Sequence, residues 1–133
     1  MSTLKVNNLQ NASGGSNSTP AEIQSGRAKA WIKFSGATTG AILGSYGISS
    51  ISNPSTGQYT ITFSTAFANT NYAVVACSSG DPAIHRAIGL IDGGSSGASE
   101  TTTTSCGMNN FSTSAGGSHE GSLEIGVAFF GDQ

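Results

Sequence analysis

His85 and His119 are the chain's histidines, Cys77 and Cys106 its cysteines, and seven carboxylates its acids. Zinc chemistry needs such ligands at short spacings, as in CxxC, so that one loop presents two at once. Here the histidines lie far apart, neither has a partner at ligand spacing, and the cysteines form no CxxC unit. Serine catalysis needs a hydroxyl held on a sharp strand-to-helix turn beside a base. Serines abound, but none reads as standing at such a turn. Glycoside hydrolysis needs two convergent carboxyls. Glu120 and Glu124 flank a strand start, Asp81 and Asp92 sit near loops, and all four read as solubilising charges. Gly93-Gly94 has no Lys-Ser/Thr and no helix after it, so it does not form a phosphate loop. We expect no catalytic residues, no metal and no cofactor: a non-enzyme.

Binding chemistry is left. Trp31, Tyr46, Tyr59 and Tyr72 offer flat rings of the kind sugars stack on, but all four lie within strand patterns, where core or subunit contact is the stronger expectation. His119-Glu120 reads as a solvated pair. The basic residues Lys5, Arg27, Lys29, Lys33 and Arg86 are too sparse for a nucleic-acid footprint. No stretch approaches the roughly 20 apolar residues of a membrane span, so no membrane insertion is expected. The start, Met1 to Val6, lacks the apolar run of a signal peptide, and synthesis in a cytoplasm is the expectation. Cys77 lies in an apolar run and reads as a small buried hydrophobe rather than half of a disulfide.

Charged residues make up 9% of the chain, against roughly a quarter in typical domains. With a net charge of -2 there is little repulsion to keep copies apart, which favours self-association.

The elements that must carry these groups are mostly strands. Residues 1–28 read as an attachment arm. Leu4, Val6 and Leu9 are apolar without a core of their own, and Asn11 to Ser18 is a polar linker. Thr19, Pro20 and Glu22 have the spacing of a capping box that starts a short helix ending near Ser25-Gly26. Residues 29–133 read as one β domain. Ala30 to Phe34 is a strand, and Ala41 to Ile51 is one strand broken by glycine or two short ones. A turn is expected at Asn53 to Gly57. Tyr59, Ile61 and Phe63 alternate with Thr60 and Thr62. Tyr72 to Cys77 is apolar on both faces and reads as central. Further strands are expected at 84–91, at Thr101 to Thr104 as an exposed strand, at Met108 to Phe111, and at the alternating run Leu123 to Phe129. Short strands separated by turn signals predict an all-β, antiparallel β-sandwich or jelly-roll-like domain with an extended N-terminal arm. Asn109, Asn110 and His119 fall among the polar loops expected within 92–119, where neutral hydrogen-bonding groups would face a receptor.

The segments Leu4 to Asn11, Gly26 to Phe34, Tyr46 to Ile51, Gly57 to Phe63 and Phe67 to Val75 carry a resemblance. The chain is similar to small tail-fibre and virion structural proteins of marine phages, especially podovirus-like phages of cyanobacteria. Beyond Ser79 the likeness thins to the strand-rich style and the closing Val127 to Gly131. The resemblance implies a virion location after assembly in the host cytoplasm, and a homotrimer of β-sandwiches. It implies a tail-fibre or head-fibre appendage, joined to other virion proteins through the arm and contacting a host surface glycan. Capsid decoration is the alternative within that class, and a soluble carbohydrate-binding module lies outside it.

Overall fold

The computed structural model describes residues 5–10, 12–15, 17–36, 41–79, 86–91, 100–112 and 124–133. The helix α1 (Pro20–Gly26) is followed by strands β1 (Ala30–Phe34), β2 (Ile42–Tyr46), β3 (Ile48–Ser55), β4 (Gln58–Phe63), β5 (Ala73–Ser78), β6 (Arg86–Leu90), β7 (Ser105–Ser112) and β8 (Ile125–Phe130). They form two antiparallel sheets, ordered β2-β1-β8-β5 and β3-β4-β7-β6, packed face to face as an all-β sandwich. A jelly roll nests its strands, first with last, second with seventh and inward from there. Only β1 with β8 follows that nesting here; hairpins β1–β2, β3–β4 and β6–β7 stay within one sheet.

Alternation decides which side chains fill the interior. Ala30, Ile32 and Phe34 of β1 and Ile125, Val127 and Phe129 of β8 point inward from the first sheet. Tyr59, Ile61 and Phe63 of β4 and Cys106 and Met108 of β7 meet them from the second. Each large apolar side chain contributes about 1.5–3 kcal/mol on burial. Phe63 is the hub of an aromatic cluster, with ring centroids 4.8 Å from Phe67, 5.5 Å from Tyr72 and 4.9 Å from Phe129, all in edge contact. The Tyr59 hydroxyl donates to the Gly36 carbonyl at 2.6 Å, and the Tyr72 hydroxyl points at the carbonyls of Thr102 and Ser105. Burial raises both phenol pKa values. The nearby Arg86 charge partly offsets this at Tyr59, while the Cys106 thiol adds to it at Tyr72.

Gly47 passes the chain from one sheet to the other. Its φ is +68°, and a Cβ there would lie 2.7 Å from the Lys29 carbonyl oxygen. The glycine-broken run is therefore two strands, on opposite sides of the sandwich. The expected turn at Asn53 to Gly57 is shorter than its sequence suggests. β3 continues through Pro54 to Ser55, because at a sheet edge proline's missing N–H has no ladder bond to lose. The Thr101 to Thr104 strand is corrected to a turn. The Thr102 hydroxyl accepts from the N–H groups of Thr104 (3.2 Å) and Ser105 (3.0 Å), which takes up donors a strand would need. The strand begins after it, at Ser105.

α1 begins where its capping box predicts. The Thr19 hydroxyl accepts from Glu22 N–H at 3.2 Å, and the Glu22 carboxylate accepts from Thr19 N–H at 2.7 Å. The Thr19 N–H, together with the Thr19 hydroxyl 3.0 Å from the same carboxylate oxygen, lowers the Glu22 pKa. α1 buries none of its residues. The linker before it is not an extended spacer. Leu9 and Ser18 exchange both backbone hydrogen bonds, at 2.8 and 2.9 Å, which brings its two ends together. Among the described residues no helix is long and apolar enough to cross a membrane.

Candidate interaction surface

The first sheet has one face on the core and one face outside. In register across its outer face run Tyr46, Trp31, Ala128 and Val75, one from each strand. Trp31 is 42% exposed, Tyr46 58% and Val75 63%, so three large apolar groups of one row stand in solvent. The next row is Gly44, Lys33, Gly126 and Cys77. The Trp31 ring reaches over Gly44, and Cys77 Sγ lies over Gly126. In each case a Cβ on the glycine would sit 3.4 Å from the group above it. Small residues in the middle and large ones at the sides make a groove of about 630 Å³, walled by Trp31 and Lys33 on one side and Val75 and Cys77 on the other. Lys33 Nζ pairs with Glu124 Oε2 at 2.7 Å beside it. Both groups are half exposed, so the pair adds at most about 1 kcal/mol. It does remove the net charge from this part of the face.

The second sheet differs. Its non-core parity carries Ser50 and Ser52 from β3, Thr60 and Thr62 from β4, and Gly107, Asn109 and Phe111 from β7. Ser50 and Ser52 are exposed, whereas Thr60 and Gly107 are buried.

The residues expected to face a receptor do not stand together. Asn109 and Asn110 belong to β7, inside the second sheet, rather than to a loop. Successive strand residues point to opposite faces. Asn109 therefore lies on the outer side opposite Gln58, while Asn110 is turned inward and is 1% exposed. His119 lies outside the described residues, as does Leu4 of the expected attachment set. Val6 and Leu9 are exposed, as is Ile23 of α1.

Cys77 is also corrected. It is exposed, and β5 is an edge strand rather than a central one. The run Ala73 to Cys77 is apolar on both faces, but only Val74 and Ala76 turn toward the core. Cys106 is the buried thiol, its pKa raised chiefly by burial. Val75, with its partners across the sheet, is the surface that sequence reasoning missed. The signal was present in that run, since an apolar outer parity on a strand with no second cover is an exposed apolar stripe. Among the described residues no three His, Cys, Asp or Glu side chains gather as a metal site.

No family model, curated protein or solved structure matches the chain.

Proposed function

We propose that the chain is a non-enzymatic virion structural subunit, a homotrimeric tail-fibre or head-fibre appendage whose sandwich assembles with copies of itself. The observation that carries the self-assembly is the inequality of the two outer faces. One bears the row Tyr46, Trp31, Ala128 and Val75 with its three large apolar groups exposed, while on the other Ser50 and Ser52 are exposed and Thr60 and Gly107 are buried. Contiguous exposed apolar surface on a small domain marks an interaction site. Here the face is nearly free of charge, as suits packing against identical neighbours. The exposed serines of β3, Ser50 and Ser52, would then look outward, with neutral hydroxyls suited to a host glycan. The virion setting is what the resemblance of segments 4–11, 26–34, 46–51, 57–63 and 67–75 to phage fibre proteins implies. Within it the exposed Val6, Leu9 and Ile23 are the groups for docking the arm onto another virion protein.

Two measurements test the proposal. Light scattering on the purified chain at micromolar concentration should give three times the mass of one chain. Immunolabelling of purified phage particles with antibody against the recombinant chain should decorate a fibre. A monomer mass would remove the assembly reading, and particles without label would remove the virion reading.

A further inference from the structure

We infer that the first sheet joins copies head to tail: the β2 edge of one copy pairs antiparallel with the β5 edge of the next. Three copies then close a ring around an axis lined by Tyr46, Trp31 and Val75. This rests on the self-assembly proposed above and specifies its geometry.

The edges supply the first argument. A terminal strand leaves a row of N–H and C=O groups unpaired, and sheets normally guard such edges with charge, proline or bulges. β3, an edge of the second sheet, carries Pro54 and two register breaks. The edges of the first sheet are different. β2 reads Ile-Leu-Gly-Ser-Tyr and β5 reads Ala-Val-Val-Ala-Cys-Ser, with no charge and no proline in either. The single irregularity of β2 lies at its Ile42 end.

Strand direction supplies the second. Every neighbour in β2-β1-β8-β5 is antiparallel, so β2 and β5 run opposite to one another. A β5 laid beside the β2 of another copy therefore continues the same alternation. A two-fold β2–β2 contact would also be antiparallel, but it would leave the equally unguarded β5 edge open. A head-to-tail contact uses both edges of every copy, and such contacts close into rings when the rotation allows.

Area and charge supply the third. Four strands of about five residues cover roughly 300 Å². A stable interface buries about 800 Å² on each partner. One face laid on another falls short of that, and the ring adds two paired edges to each copy's contact. The charged groups beside the groove, Lys33 and Glu124, already neutralise each other, so copies meet without an unpaired charge. The groove over Gly126 and Ala128 leaves room for a neighbour's Tyr46 or Trp31.

Cysteine cross-linking tests the geometry. Cys77 lies on the outer face of β5, and Gly44 and Tyr46 occupy the outer face of β2. Gly44→Cys and Tyr46→Cys are each made with the native Cys77, and again with the thiol moved by Val75→Cys in a Cys77→Ala background. Mild oxidation is followed by a non-reducing gel, with light scattering on every variant. At least one pairing should give a covalent trimer that disappears when the β5 thiol is removed. Cross-linking of Gly44→Cys or Tyr46→Cys with no thiol in β5 would reveal a β2–β2 contact and overturn the inference. So would a trimer by light scattering that no pairing cross-links, although self-assembly would then stand. A monomeric unmodified chain would overturn both.

Discussion

Trp31 and Val75 stand on either side of Ala128 in one row of the first sheet, both open to solvent. Neither contributes to the core beneath. The same strands therefore serve two purposes, filling the interior with Ile32 and Val127 and presenting an apolar outer surface with their alternate residues.

Replacing Val75 with Glu should leave the sandwich folded, because the side chain points away from the core. It should convert the assembly to monomers. Val75→Ala is milder: it removes two methyl groups worth about 0.8 kcal/mol each when buried, so assembly should weaken by about one order of magnitude per contact. Light scattering across a dilution series, with circular dichroism as the control for folding, separates these outcomes.

Gly47→Ala should destabilise the domain. The left-handed backbone there costs an L-residue about 1–2 kcal/mol, and contact with the Lys29 carbonyl adds to it. Urea denaturation should show a lower midpoint. An unchanged midpoint would mean that the passage between sheets does not need its positive φ.

Tyr72→Phe keeps the ring cluster around Phe63 and removes the hydroxyl facing Thr102 and Ser105. A loss of about 0.5–1.5 kcal/mol is expected. The Tyr72 pKa is raised in the folded chain, so its contribution is full below the ordinary tyrosine value of about 10 and is lost as pH rises through the folded value. Tyr59 and Cys106 are shifted in the same direction. Unfolding should therefore set in on the alkaline side, and Tyr72→Phe should flatten that pH dependence.

Thr19→Ala should abolish α1 while leaving the melting temperature of the sandwich unchanged, since α1 buries nothing. The lowered Glu22 pKa gives the cap an acid limit. Its contribution is present above the carboxylate's unfolded pKa and is lost as pH falls through the folded value. Backbone chemical shifts of residues 20–26, followed through an acid titration, would register this without interference from the β domain.

Alternation made β4 and β8 legible from sequence, because Tyr59, Ile61 and Phe63 alternate with polar residues and Ile125 and Val127 with small ones, although both parities of β4 are covered in the fold. The capping box was legible for a similar reason: its three residues interact locally. The place of a strand within a sheet is not local. Ala73 to Cys77 has the composition of a buried centre, yet its position at the edge depends on which strand comes to lie beside it. Asn109 and Asn110 look like loop residues by type. Only the pairing of Met108 with Tyr59 fixes which of the two enters the interior. Asn110→Ala should accordingly lower stability, while Asn109→Ala should not.

The pairing of β1 with β8 has a bearing on how the chain is made. These strands open and close the described β region, so the first sheet cannot be completed until residues 125–130 leave the ribosome. At about 5–20 residues per second, β1 and β2 wait for several seconds with their apolar faces uncovered. The hairpin of β3 and β4 is free to form meanwhile. A chain released early, without β8, would leave one edge of β1 unpaired and the core without Ile125, Val127 and Phe129. Truncation before residue 125 should therefore yield aggregates rather than a smaller soluble domain.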